Sequence, residues 1–243
     1  MNEIKTQGLV KDYRGRCVVN EVSLNVAQGE VIGLLGPNGA GKTTTFYMIV
    51  GLVRPKAGKV FLNGADVTDL PMYKRARRGL GYLPQEPSIF KKLTVEENLR
   101  LLLEIVQPID PDQFDTRINE LLTELGLNHV RESKGFQLSG GEKRRVEIAR
   151  SLSLNPSFIL LDEPFAGVDP IAVSEIQEII KKLKNQGIGI IITDHNVQET
   201  LAITDRSYII HEGKILFTGN PEEISNSEVA KKYYLGQGFQ LNK

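Results

Sequence analysis

Apolar residues recur along this chain at two periods, and the changes of period divide it into three stretches. Up to about residue 70, the short β-rich runs Cys17–Val26, Val31–Leu35 and Lys59–Leu62 are joined by connections that mostly carry Gly or Asn. They predict strands linked by tight turns, with one helix over Thr44–Val50. From about Thr94 to Asn155 the period becomes helical. Thr94 and Glu97 make a capping box ahead of Leu99, Leu102, Leu103 and Val106; beyond a loop at Pro108–Pro111, Ile118, Leu121, Leu122 and Leu125 repeat the spacing up to Gly126. Strands and helices then alternate again. Phe158–Leu161 is an apolar run entering acidic residues, Ile176–Leu183 a helix, Ile188–Thr193 a buried strand, and Tyr208–Phe217 a hairpin turning at Glu212 and Gly213. Asn220, Pro221 and Glu223 open a short C-terminal helical segment. With no internal repeat, the pattern predicts one compact unit: an α/β core over roughly 1–88 and 157–220, a helical subdomain over 89–156, and a tail over 221–243.

Composition narrows the setting. A chain of 243 residues suits one α/β domain with an insert. Thirty Lys and Arg balance thirty Asp and Glu, which gives no support to coating of nucleic acid; the basic run Lys74–Gly79 is read as a solvated or phosphate-near face. A lone Cys17 and the lack of a leader pattern point to a reducing cytoplasm. No apolar run approaches the ~20 residues of a spanning helix, so work at a membrane requires another chain to do the spanning.

The candidate chemistry begins at GPNGAGKTT, Gly36 to Thr44, which fits G-x-x-x-x-G-K-[ST] between an apolar strand and a helix. Gly36, Gly39 and Gly41, with Pro37, Asn38 and Ala40 between them, let the loop turn its N–H groups toward β-phosphate oxygens. Lys42 supplies a compact charge, the Thr43 hydroxyl can ligate Mg²⁺, and Thr44 continues the turn. In FILLDEP, Asp162 would hold Mg²⁺ and Glu163 would polarise an attacking water; alone, such an acidic pair often just ends a strand in solvent. A nucleoside triphosphatase follows, without the N/T-K-x-D guanine reader of a GTPase. LSGGE adds a second anion-facing helix start: Ser139 caps it, Glu142 completes a capping box, and Gly140 and Gly141 leave backbone N–H groups uncovered.

GPNGAGKTT, Gln85 in GYLPQE, LSGGE, FILLDEP, AGVD and His195 in ITDHN occur in the order and approximate spacing of the ATP-binding subunits of ATP-binding cassette transporters, which the chain resembles from about Ile4 to Phe239. That resemblance implies an α/β fold: a phosphate-loop (RecA-like) ATPase core with an N-terminal antiparallel β subdomain and a helical insert carrying the signature LSGGE. It implies ATP and Mg²⁺ as ligands, with Thr43, Gln85 and Asp162 toward the metal, Glu163 as the base, and His195 on the γ-phosphate. Tyr13 matches the aromatic that stacks on adenine, unless it is an ordinary β-turn tyrosine. Asp169 keeps its family place although the loop reads AGVD, and TDHN stands where a THD-like form is frequent, which bears on Ala166 and Asp194.

The same resemblance implies a homodimer in which each Ser139–Glu142 helix start closes over ATP held by the partner's loop. Two transmembrane subunits would dock near Gln85–Lys92, placing the protein in the cytoplasm, peripheral to the inner membrane; Phe90 there either offers an aromatic docking contact or packs under its own loop. TTTFYMIVGL, RARRGLGYLPQEPSIF, LLDEPFAGVDP, ITDHNVQETL and YLGQGF are most similar to the lipopolysaccharide-export branch of the family. An ATPase of another transporter, such as a branched-chain amino-acid importer, is the alternative. A nucleic-acid ATPase of the same superfamily is the reading from another class, but the 103 positions between Gly36 and Ser139 leave no room for its coiled coil.

Overall fold

A computed structural model describes residues 2–106 and 111–241 of the chain. The larger sheet has six strands in the order β11-β10-β4-β9-β8-β7. These are β4 (Val31–Leu35), β7 (Leu80–Leu83), β8 (Phe158–Asp162), β9 (Gly189–Thr193), β10 (Arg206–His211) and β11 (Lys214–Gly219). All run parallel except β11, which turns back on β10. Strands β4, β8 and β9 are buried on both faces, which explains why they read as continuous apolar runs. The turn at Glu212 (φ 46°) and Gly213 (φ 78°) has both central residues at positive φ, as a two-residue hairpin requires.

The smaller sheet is antiparallel. Strand β1 (Glu3–Tyr13) pairs with β2 (Arg16–Val22), β3 (Asn25–Ala27) and β5 (Ala57–Leu62), and β5 continues to β6 (Ala65–Asp66). The run expected as one strand over Cys17–Val26 is therefore two, both held by β1. Strand β1 itself was not anticipated, because Glu, Lys, Thr and Gln interrupt its apolar alternation. Strand β7 was missed because Gly81 breaks its apolar run; a Cβ on that glycine would stand 3.0 Å from Ser151 O, so the glycine allows close packing.

Three longer helices, α3 (Val95–Val106), α4 (Pro111–Glu124) and α5 (Gly140–Leu152), make up the helical stretch. Thr94 and Glu97 exchange both capping hydrogen bonds at the start of α3. The loop expected from Pro108 and the side chain of Val106 lie outside the described residues. Leu99, Leu103, Ile118, Leu121, Leu122 and Leu125 share one core with Ile159, Leu161, Ile190 and Ile192 on one face of the large sheet. Ile32, Leu34, Leu160 and Ile191 face the other way and pack with the antiparallel sheet and with α1 (Lys42–Val50). Among the described residues the other α-helices are α2 (Met72–Ala76), α6 (Pro170–Asn185), α7 (Val197–Leu201), α8 (Pro221–Asn226) and α9 (Glu228–Ala230). Asn220 caps α8 in a capping box, and the tail's Tyr234, Leu235 and Phe239 pack against Leu35 and Leu201. Among the described residues, no helix is long and apolar enough to cross a membrane.

In the basic run Lys74–Gly79, Lys74, Arg77 and Arg78 are exposed, as the solvated face expected of it requires, and Arg75 is the exception. Arg75 is buried, and its guanidinium donates to Met48 O (2.7 Å), Ile49 O (2.6 Å), Leu70 O (2.8 Å) and Thr68 O (2.8 Å). It thereby satisfies carbonyls at the C-terminal end of α1, where a cation is favoured by the helix dipole. Burial lowers its pKa to about 10, still charged at neutral pH. Arg75→Met should leave those carbonyls unpaired and cost about 3 kcal/mol of stability, read as a lowered midpoint in urea unfolding.

Candidate functional site

Because β4, β7, β8 and β9 are parallel, their C-terminal ends open on one edge of the sheet, where α/β proteins bind ligands. Strand β4 runs into the Gly36–Thr44 loop, β7 into Gln85, β8 into Glu163, and β9 into Asp194 and His195. The loop is fixed by close backbone approach. A Cβ on Gly36 would lie 2.1 Å from Ile210 O, and Gly41, at φ 106°, would place one 2.7 Å from Val18 O, so neither position tolerates a side chain. Lys42, the first residue of α1, folds back so that Nζ donates to Gly36 O (2.6 Å) and Pro37 O (3.0 Å). Burial lowers its pKa against the opposing pull of Glu163, Asp162 and Asp194. The loop from Asn38 to Thr44, with Gln85, Glu163 and His195, lines a cavity of about 360 Å³.

The acidic pair has two unlike environments. Asp162 is fully buried; its Oδ2 accepts the Tyr82 hydroxyl at 3.4 Å, while Oδ1 has no hydrogen-bond partner among the described residues. Burial, with the neighbouring Glu163 charge, raises its pKa to about 6. A buried, unpaired carboxylate oxygen beside a phosphate-type loop fits a divalent cation; Thr43 and the adjacent Glu163 line the loop cavity, whereas Asp162 lies beneath its lining. Glu163 leaves the strand at φ 50° with its N–H on Thr193 O (2.7 Å). Its Oε2 accepts Gln85 Nε2 at 2.8 Å and its Oε1 meets His195 Nε2 at 2.7 Å. Residues from three strand ends thus converge on one carboxylate.

A family model described as "ABC transporter" matches residues 19–166. The chain belongs to the ABC transporter family. It is 56% identical over 241 residues to the lipopolysaccharide export system ATP-binding protein LptB of Haemophilus influenzae, covering 99% of this chain and 100% of that one. It is 57% identical over 238 residues to the LptB of Acidithiobacillus ferridurans, covering 98% of each. Among solved structures it superposes on the ADP conformation of MJ1267, an ATP-binding cassette of an ABC transporter, with a TM-score of 0.87 at 29% identity, over 98% of this chain and 100% of that one. The dimeric post-hydrolysis structure of the cassette MJ0796 bound to ADP and Pi gives 0.81 at 27% identity, over 90% and 98%. This protein is accordingly an ATPase subunit coupled to transport, with ATP and Mg²⁺ as its ligands, in a family whose cassettes form dimers.

Other expected residues of the cassette stand apart from this cavity. Ser139 Oγ accepts Glu142 N–H (3.2 Å), and Glu142 Oε2 accepts Ser139 N–H (2.8 Å), so the signature helix carries its capping box, with His129 Nε2 3.1 Å from Glu142 Oε1. Gly141 packs so close to α6 that a Cβ would sit 2.6 Å from Ala172 Cβ. None of Ser139–Glu142 lines the Gly36–Thr44 cavity of its own chain. Asp169 caps α6 through Ile171 N–H and Ala172 N–H, both at 3.0 Å. Asp194 takes Phe165 N–H (3.0 Å) and Asn196 N–H (2.8 Å), which makes it a staple between two loops. Tyr13 lies at the tip of the β1–β2 hairpin, 44% exposed, with the Lys11 ammonium 5.4 Å from its ring centre. Phe90 is also 44% exposed and carries the Arg150 guanidinium 4.7 Å over its ring, while Ile89 is buried.

Two contributors were missed by sequence reasoning. Tyr82 steadies Asp162 from β7, an unanticipated strand. Arg144 sits in the basic run after LSGGE, and its guanidinium donates to Asp162 O (2.9 Å), Glu163 O (2.8 Å) and Pro164 O (3.2 Å), fixing the turn that presents Glu163. Nothing in KRR distinguishes such an arginine from a solvated one.

Proposed function

We propose that this protein is the ATPase subunit of a lipopolysaccharide exporter, peripheral on the cytoplasmic face of the inner membrane and bound there to two transmembrane subunits that dock near Gln85–Lys92. The observation that carries this reading is the 56–57% identity to lipopolysaccharide-export ATP-binding proteins over nearly the whole chain. The half-exposed Phe90 supplies an aromatic contact for a docked helix.

Hydrolysis in this reading is shared by two copies packed head to tail around two ATP. Lys42 exchanges Gly36 O and Pro37 O for β- and γ-phosphate oxygens, and Tyr13 stacks on adenine. Thr43, Asp162 and Gln85 would hold Mg²⁺, which when bound would supply positive charge opposite the phosphates. Glu163 gives up one of its two donors to take a proton from the attacking water, while His195 turns to the γ-phosphate. The partner's Ser139, Gly140 and Gly141 N–H groups then close over that phosphate, with Glu142 holding the helix start and Asp169 bordering the joint. The separation of Ser139–Glu142 from the loop cavity of the same chain supports this sharing.

Purifying the tagged protein from detergent-solubilised membranes and identifying its companions tests the reading. Two membrane-spanning lipopolysaccharide-export subunits are expected. Small amino-acid permeases in their place would favour the importer alternative and overturn the substrate assignment.

A further inference from the structure

The segment Pro84–Phe90 carries Gln85 away from the end of β7 and contains neither strand nor helix. It is held instead by one face of α5, where Arg144, Glu147 and Arg150 stand at i, i+3 and i+6. Arg144 Nη1 donates to Pro84 O at 3.0 Å. Glu147 Oε1 accepts the backbone N–H groups of Ser88 and Ile89, the latter at 3.2 Å. Arg150 donates to Ser88 O and lies over Phe90. Both ends of the segment are therefore pinned to the same helix.

Glu147 is the centre of this grip. It is 4% exposed, and its second oxygen takes Arg144 Nη1 at 3.1 Å. That guanidinium is the one that also holds the carbonyls of Asp162 and Glu163. Helix stability does not call for this arrangement, since alanine is the better helix former and burying two charges is costly unless both are fully paired. The pairing is instead directed outward, to the backbone of the segment bearing Gln85 and to the turn bearing Glu163. We propose that Glu147 is a positioning residue for Gln85, locking the Pro84–Phe90 segment to α5 so that the Gln85 amide is registered against Glu163. Because α5 begins at the Ser139 cap, the signature end and the Gln85 segment move as one body. The inference rests on the role given to Gln85 above.

A double-mutant cycle on the full-length protein tests it by ATP hydrolysis. Glu147→Asp keeps a charge beside Arg144 while withdrawing the carboxylate from Ser88 and Ile89. It is expected to lower kcat about fivefold with KM for ATP within about twofold of wild type; Gln85→Ala should lower kcat at least about tenfold, and the double variant should be no more than about twofold slower than Gln85→Ala alone. Two losses that multiply, or a Glu147→Asp chain with wild-type kcat, would overturn the positioning role while leaving Gln85 in place. A general loss of folded protein scales both backgrounds equally, so it too appears as multiplication and counts against the proposal. Wild-type kcat in Gln85→Ala would remove the Gln85 role, and the inference with it.

Discussion

Glu163→Gln is expected to bind ATP and hydrolyse it about 10² to 10⁴ times more slowly than the wild-type protein, the usual span for loss of a positioned general base. The amide is nearly isosteric, and the backbone bond from Glu163 N–H to Thr193 O and the Arg144 contact to Glu163 O do not involve the side chain. The fold should therefore survive. What changes is the carboxylate onto which Gln85 and His195 both converge: an amide cannot accept a proton from water and offers one acceptor where two are used. If ATP is part of the joint between copies, arrested hydrolysis should leave a dimer detectable by light scattering in ATP and Mg²⁺, dispersing when nucleotide is removed. Wild-type turnover in this variant would take Glu163 out of its role, and a slow variant that stays monomeric with ATP would count against the shared site.

Lys42→Ala acts earlier, on binding. The ammonium is buried at the start of α1, pinned to Gly36 O and Pro37 O, and it is the cation placed to meet the β- and γ-phosphates. Removing one partner of a desolvated charge pair costs about 2–5 kcal/mol, which converts to roughly a 30- to several-thousandfold loss of ATP affinity. Calorimetric titration with ATP should show that loss, together with retained secondary structure. Affinity within twofold of wild type would contradict the phosphate-loop assignment, because no other cation among the described residues lines the same cavity at that point.

What could be read in the sequence was what is local. The capping boxes at Thr94 and Ser139, the positive-φ turn at Glu212 and Gly213, and the buried strands β4, β8 and β9 are each specified by a few neighbouring residues. Strand β1 is different: its place depends on partners at residues 16–27 and 57–62, and its own charged positions hide its alternation. Arg75 is different again, because a basic residue looks solvated until the carbonyls of Met48 and Ile49 come beside it. The convergence of Gln85, Glu163 and His195 joins three segments far apart in the chain. Motif order through a family resemblance suggested it; no periodicity could. Arg144 and Glu147 carried no such cue, since their partners are backbone atoms, which every residue type supplies alike.

Glu163 also sits at φ 50°, a conformation that suits glycine or asparagine far better than glutamate. Judged by folding alone, the position is a poor choice of residue, and a chain shaped only for thermal endurance would tend to abandon glutamate there. The rest of the molecule must supply enough margin to hold that turn, as Arg144 and the Thr193 carbonyl visibly do. At this one residue, durability and turnover pull the choice of amino acid in opposite directions.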